Sequence, residues 1–338
     1  MRIPIAEIQR VARLALEQSG CNSENATAVA HVVAAADRDG CASHGLFRLP
    51  GYLAALRSGK VNGKANPSVV RLAPSVLQVH GSRGFAPISM NAARQELEPL
   101  ARQQGIAAAA LVDVHHFSAL WVDIEPLVQR GLGAFCFTAY MPVVAPAGAT
   151  HPFFGTNPMA FGWPRADGGS MIFDQASATM ARGEVMIAAR DGRELPLGVG
   201  LDVAGMPTKD PAAILSGVLL PFGGHKGSAI ALMVELLAAG LIGQPFSVEA
   251  GEEDNGDGGP PRGGVLLIAF EPRHFGDPDG WLAHSEAFLE RLSRLDDVRL
   301  PGQRRAACRA QSDRDGAEIA PAVWEFALRA SSDCGSVL

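Results

Sequence analysis

Segments with helical periodicity at both ends of the chain enclose a middle that reads mostly as strands. That order constrains the fold more than any single motif, because it is not the regular strand–helix alternation of a doubly wound sheet. Residues 4–18 place Ile5, Ile8, Val11 and Leu14 or Leu16 on one side, with Gly20 as a stop. Asn22 or Ser23 then caps a second helix that ends near Gly40. From about residue 67 the period changes. VVRLAP and VLQVHG read as a hairpin around Ala73-Pro74, residues 85–104 as a helix, and 105–114, 131–140, 158–163, 169–177 and 265–270 as strands. Residues 227–243 form the most apolar helix, 250–264 read as an acidic Gly/Pro-rich loop, and the last 60 or so residues return to helix. The fold class expected is α/β (α+β), with the sheet in the middle of the chain.

The chain has 338 residues, 47% of them hydrophobic, which is enough for a real core and two or three domains. A net charge of −6 without a basic block argues against nucleic acid as a partner. No apolar run is expected to reach the roughly 18 residues of a membrane span. The N-terminal stretch is amphipathic and does not read as a secretory signal. Cys21, Cys41, Cys136, Cys308 and Cys334 are scattered and never in a C-x-x-C spacing, so neither a disulfide framework nor structural zinc is expected. A cytoplasmic protein fits.

Chemistry concentrates in a few stretches. In CASHGLFRLPGY (41–52), Pro50 suits the first turn of a helix over about 50–58, and the preceding residues form a short helical turn. His44 and Arg48, four apart, then face the same way. Histidine there is a core side chain, a metal ligand or a proton donor. DVHHFSALW (113–121) follows a buried strand, and hydrogen bonds from His115, His116 and Ser118 to a cofactor explain it better than metal ligation does. PFGGHKGSAIALM (221–233) puts glycines and Lys226 at a helix start, where free N–H groups and the dipole favour an anion; a glycine loop with a solvated lysine is the bland alternative. Thr156-Asn157-Pro158 is a turn with side-chain donors, and Asp174 and Glu184 follow. No G-x-G-x-x-G follows a strand and no P-loop signature is present, which disfavours a Rossmann or P-loop site.

Gly40-x-x-Ser43-His44-Gly45-x-x-Arg48, Gly155-Thr156-Asn157-Pro158, Phe173-Asp174-x-Ala176-Ser177, Pro221 to Gly227, and Leu300-Pro301-Gly302-x-Arg304-Arg305 occur in this order. Together they resemble the malate/L-lactate dehydrogenase-like oxidoreductases that lack a Rossmann fold. HHFSALW and LLPFGGHKGSA are most similar to the Δ1-piperideine-2-carboxylate/Δ1-pyrroline-2-carboxylate reductases within that superfamily. The resemblance implies a homodimer, a cyclic imino acid substrate and NADPH as cofactor, with NADH possible. It implies a mostly antiparallel mixed sheet flanked by helices, with residues 1–66 and 276–338 as a helical dimerisation domain, 67–120 as a small α/β domain and 121–275 as the cofactor domain.

The resemblance also implies roles. His44 matches the proton donor and Ser43 its relay partner; Arg48 and Thr156 match substrate-binding positions. His115, His116, Phe117, Ser118 and Ala119 match cofactor-binding positions. So do Asp174, Gln175, Ala176, Arg182 and Gly183, and also His225, Lys226, Gly227, Ser228, Ala229 and Ile230. Arg304 matches too, and Arg304 or Arg305 is the candidate for a 2′-phosphate. The second relay carboxylate is typically Asp in these reductases. Here it is Glu184, one methylene longer, so its reach to His44 or Ser43 has to be re-accommodated. Histidine titrates at about 6.5 and suits proton delivery to an imine nitrogen, and arginine grips a carboxylate with two prongs. A malate- or lactate-type 2-hydroxy acid dehydrogenase could use the same pair, and a non-catalytic nucleotide- or metabolite-binding protein is the rival of another class.

Overall fold

The computed structural model describes residues 1–332, so Cys334 lies outside the described residues. A two-residue strand β1 (Arg2–Ile3) leads into helices α1 (Ile5–Gln18) and α2 (Ser23–Arg38). Asn22 is the cap: its side-chain oxygen accepts from Asn25 N at 3.0 Å. Two single 3-10 turns, Ala42–His44 and Leu46–Arg48, connect to α3 (Leu49–Arg57), with Pro50 in its first turn. Asp37, buried at the end of α2, fixes that connection by accepting from Leu46 N at 2.8 Å. Gly45 admits no side chain, since a Cβ there would lie 1.9 Å from Asp37 Oδ1.

The hairpin is present as β2 (Ser68–Ala73) and β3 (Val76–Phe85), followed by α4 (Ala86–Gln104), β4 (Ile106–His115), α5 (Leu120–Gln129), β5 (Gly133–Thr138), β6 (Met159–Pro164) and β7 (Ser170–Gln175). Next come α6 (Arg182–Arg190), the two-residue strands β8 (Gly200–Leu201) and β9 (Pro207–Thr208), α7 (Pro211–Ser216), β10 (Val218–Leu219), α8 (His225–Ala238) and α9 (Ser247–Glu253). The chain closes with β11 (Arg262–Phe270), α10 (Trp281–Ser293), α11 (Gln303–Asp315), β12 (Ala317–Glu318) and α12 (Pro321–Ser332).

Seven strands form one sheet in the order β2-β3-β4-β11-β5-β6-β7. Every neighbouring pair is antiparallel except β3 and β4, which the α4 crossover makes parallel. One face of the sheet buries Val79, Leu111, Cys136 and Leu267 against Met90 and Leu97 of α4 and Ile124 and Val128 of α5. A second core joins the ends of the chain: α1, α2 and α3 close over Trp324 and Ala327 of α12, and β1 pairs with β12. A third core, around Val144, Phe154, Val185 and Ile214, carries the small sheet of β8, β9 and β10.

Two expectations need correction. Residues 250–264 are not one loop. Ala250 is buried and Gly251 packs on Pro142, so α9 continues to Glu253, while pairing with β4 draws Arg262–Gly264 into β11. The apolar helix starts at His225 and ends at Ala238, short of 243, because Gly240–Ile242 tightens into a 3-10 turn and Gly243 turns left-handed. Contrary to the expectation for the chain, His225–Ile242 does reach the length and apolarity of a membrane span. In the fold, Val234 and Ala238 of this helix pack on Phe137 and Leu266 of the sheet, while Leu232, Leu236 and, just beyond, Leu241 face outward.

Candidate active site

The turn Ser43–Arg48 forms one wall of a cleft of ≈ 540 Å³. Ser43 Oγ lies 3.2 Å from His44 Nδ1, which fixes the ring without deciding its tautomer. Gly45 breaks the helical path, yet Arg48 curls back: its Nε donates to Ser43 O at 2.7 Å, and its guanidinium carbon lies 4.6 Å from the Phe117 ring centre. His44 and Arg48 therefore face the same cleft, as their spacing predicts. Arg48 Nη1 meets only the weak acceptor Met186 Sδ, at 3.9 Å, and Nη2 faces the cleft beside Gly183, where a Cβ would lie 2.7 Å from Nη2 and 2.8 Å from Ser43 Cβ.

The opposite wall comes from strand ends. His116 follows β4 and is held by Asp123, Nε2 to Oδ2 at 2.9 Å, with Ser118 Oγ 3.2 Å from the same nitrogen. Asp174 at the end of β7 accepts from Trp121 N at 3.2 Å. Trp121 meets His44 edge-on at 6.4 Å between centroids, and Arg305 lies over its indole at 4.9 Å. Trp121 Nε1 donates to Asp39 at 3.0 Å, and Asp39 is clamped in turn by Arg309 of α11. The start of α6 brings Arg182, Gly183 and Glu184 to the rim, and Arg304 reaches it from α11.

The electrostatics favour anions. His44 is pushed down to about 3, first by burial of its ring, then by the charges of Arg48 and His116. It is therefore neutral at neutral pH. Asp174 is pushed up to about 6 by burial, opposed by the Trp121 N–H and Arg305. With Arg48, Arg182, Arg304 and Arg305 around it and the N-terminus of α6 at its rim, the cleft suits a negatively charged ligand, and its mixed polar and aromatic walls suit a dinucleotide.

Ser43, His44, Arg48, His116, Phe117, Ser118, Thr156, Asp174, Ala176, Arg182, Gly183, Glu184 and Arg304 line this cleft. Glu184 does not complete the expected relay. It is exposed and makes no hydrogen bond to Ser43 or His44, because the close packing of Gly183 directs the first turn of α6 past the pair. His115 turns away: its Nδ1 pairs with Pro260 O at 3.1 Å, and the ring borders a separate charged cavity. Ala119 is buried and Gln175 is exposed, both off the cleft. His225, Lys226, Gly227, Ser228, Ala229 and Ile230 open α8 outside the lining. Their loop joins the cleft rim through Ser177, whose carbonyl accepts from Phe222 N at 3.0 Å. Lining residues not singled out from the sequence as site residues include Trp121, Thr138, Ala139, Tyr140, Ala181 and Cys308. Trp121 was within reach, since it ends the histidine stretch.

The family model described as malate/L-lactate dehydrogenase matches residues 3–326. This chain belongs to that family. A Δ1-pyrroline-2-carboxylate reductase from Ancylobacter novellus is 45% identical over 338 residues, 99% of each chain. A (2R)-3-sulfolactate dehydrogenase (NADP⁺) from Chromohalobacter salexigens is 40% identical over 91% of this chain and 92% of its own. Among solved structures, a Δ1-piperideine-2-carboxylate reductase from Pseudomonas syringae pvar. tomato superposes with a TM-score of 0.92 at 43% identity, covering 98% of this chain and 99% of that one. Family members thus share the whole architecture, the mixed sheet and the helical layer built from both ends of the chain.

Proposed function

We propose that the chain is a reductase of cyclic imino acids, taking Δ1-piperideine-2-carboxylate and Δ1-pyrroline-2-carboxylate to the corresponding cyclic amino acids. The observation that carries this reading is the single turn that presents His44 and Arg48 to one cleft, in a chain similar over its full length to reductases named for those substrates. A bound reduced nicotinamide supplies the hydride to the C=N carbon. Arg48 takes the substrate carboxylate through its Nη groups, and the Thr156 hydroxyl stands on the same wall. His44, taking up a proton once substrate is bound and so acting as imidazolium, delivers the proton that the nitrogen needs. Docking the carboxylate against Arg48 cancels one of the charges that hold His44 low, so the ring becomes a better proton carrier as substrate arrives.

NADPH is preferred in this reading. Arg305 is committed to Ile172 O and to the face of Trp121, which leaves exposed Arg304 for a 2′-phosphate. The protein is a homodimer in this reading, with residues 1–66 and 276–338 as its dimerisation domain. Free thiols at Cys21, Cys41, Cys136 and Cys308 fit a cytoplasmic location. A 2-hydroxy acid dehydrogenase is the second reading, favoured by the sulfolactate dehydrogenase relative.

Oxidation of NADPH and NADH is to be followed with the two imino acids, pyruvate and oxaloacetate side by side. Fast turnover of the imines with feeble keto acid activity is expected, with NADPH ahead. Keto acids winning would overturn the imine reading. His44→Asn is expected to lower kcat by about 10²-fold or more with little change in cofactor affinity; full activity would remove the proton-donor role.

A further inference from the structure

We propose that Glu235, which touches neither cleft nor solvent, is a positioning residue for the substrate wall, acting through Asn157 on Thr156 and Tyr140. The proposal rests on the reading of the cleft given above.

Asn157 is fully buried and holds a left-handed conformation, φ +38°, which asparagine adopts more readily than other side chains. Both ends of its amide are engaged. Nδ2 donates to Glu235 Oε1 at 2.7 Å and to Ala231 O at 3.1 Å; Oδ1 accepts from Tyr140 N at 3.2 Å. This set of partners dictates which way the amide points, because a carboxylate and a carbonyl can only accept while a backbone N–H can only donate.

Glu235 is buried too, and among the described residues no cation lies against it. Its carboxyl oxygens meet donors alone: Asn157 Nδ2, Ser247 N to Oε2 at 2.9 Å, and the Ser247 hydroxyl. Ser247 Oγ accepts in turn from Gly155 N at 2.8 Å. Ser177 N donates to Thr156 O at 2.7 Å, and Ser177 Oγ donates to Asn157 O at 2.8 Å. The backbone on both sides of Thr156 is thereby fixed, while its hydroxyl makes no hydrogen bond within the described residues and opens to the cleft. Tyr140, the next anchored residue, borders the same cleft and stacks on Phe117, the ring that carries Arg48. Removing the Glu235 carboxylate leaves one N–H of the Asn157 amide without its partner in a dry interior. The cheapest relief is rotation of that amide, which releases Tyr140 N and lets the Thr156 turn relax.

Glu235→Ala, Glu235→Gln and Ser247→Ala test this with the full chain. For Glu235→Ala the KM for the imino acid is expected to rise about tenfold or more with a smaller fall in kcat. The dissociation constant of reduced cofactor, read from its fluorescence, stays as in the wild type. Glu235→Gln keeps an acceptor for Asn157 Nδ2 and restores most of the loss. Ser247→Ala keeps its backbone N–H on Glu235, folds like the wild type and shows the same KM-specific change at smaller size. A folded Glu235→Ala with wild-type KM overturns the proposal. So does loss of kcat, KM and cofactor binding together with no rescue by Gln, which is a purely structural role. KM is read on whichever of the imino or keto acids the wild type reduces, so failure of the imine reading leaves this test standing.

Discussion

Two groups at the first wall of the cleft, His44 lining it and Asp37 buried behind it, respond to pH in opposite directions. His44 titrates near 3 in the fold, below its ordinary value, so the unfolded chain binds the proton more readily. It costs nothing above about pH 6.5, and stability is lost as pH falls from there toward 3. Asp37 is pushed up to about 7 by burial, against the single N–H of Leu46. Its folded value lies above the unfolded one, so the fold holds a proton that the unfolded chain gives up, and stability is lost as pH rises from about 4 through 7. Asp37→Asn removes the charge and keeps an oxygen for Leu46 N. Its free energy of unfolding is expected to gain on the wild type steadily between pH 5 and pH 8, to a limit on the order of 4 kcal/mol. A constant offset over that range would show that Asp37 stays ionised in the fold. Both groups act on the same turn, because Asp37 fixes the backbone at Leu46 from which Arg48 curls back to Ser43.

At the scale of elements, the site is an arrangement of ends. The 3-10 turns that close α2, the C-terminal ends of β4 and β7, and the first turn of α6 meet at one place. Gly183 is the point of closest approach, and it is a packing requirement rather than a conformational one, since its φ is ordinary. Gly183→Ala puts a methyl against Arg48 Nη2 and Ser43 Cβ. The guanidinium can give way but Ser43 Cβ, fixed to the backbone, cannot, so KM for the substrate is expected to rise about tenfold and the melting temperature to fall. An unchanged KM would mean that Arg48 relaxes without losing its grip. His116 illustrates the same dependence on ends: Asp123, which orients it, lies one turn into α5, across the loop from β4.

Over the whole molecule, the C-terminal helices clamp the cleft shut at its back. Arg309 of α11 bridges Asp39 after α2 and Glu125 of α5, with Nε to Asp39 Oδ1 at 2.9 Å and Nη1 to Glu125 Oε1 at 2.8 Å. Asp39 is buried and pinned below its usual range, with Arg309 and Arg38 outweighing desolvation. It also holds the indole of Trp121 over His44. Arg309→Ala strands much of that charge. A loss of about 3 kcal/mol is expected in urea unfolding, and turnover should fall with it as Trp121 loosens. A wild-type midpoint would assign the holding of Asp39 to Arg38 alone.

Local signals in the sequence determined the elements. The cap at Asn22, the Pro50 start of α3, the hairpin at Ala73-Pro74 and the apolar runs of β4 and β11 are set by neighbours within a few residues, and they fold as that chemistry dictates. The same locality placed His44 and Arg48 on one turn, and the ordered motifs placed the chain in its family. Elements held together by distant partners were beyond it. The helix Ser247–Glu253 exists because Ser247 bonds Glu235 and Ala250 is buried, and the two-residue strands exist only through their pairing. The site divided along the same line. Residue types and spacing supplied the acid–base and anion-binding groups, whereas orientation came from contacts far apart in sequence. Such contacts turn His115 to Pro260, carry Glu184 past Ser43, and join Glu235 to Asn157 and Arg309 to Asp39. A side chain's direction in a dry interior is set by whichever donor or acceptor lies across from it, and that partner is fixed only when the whole chain has packed.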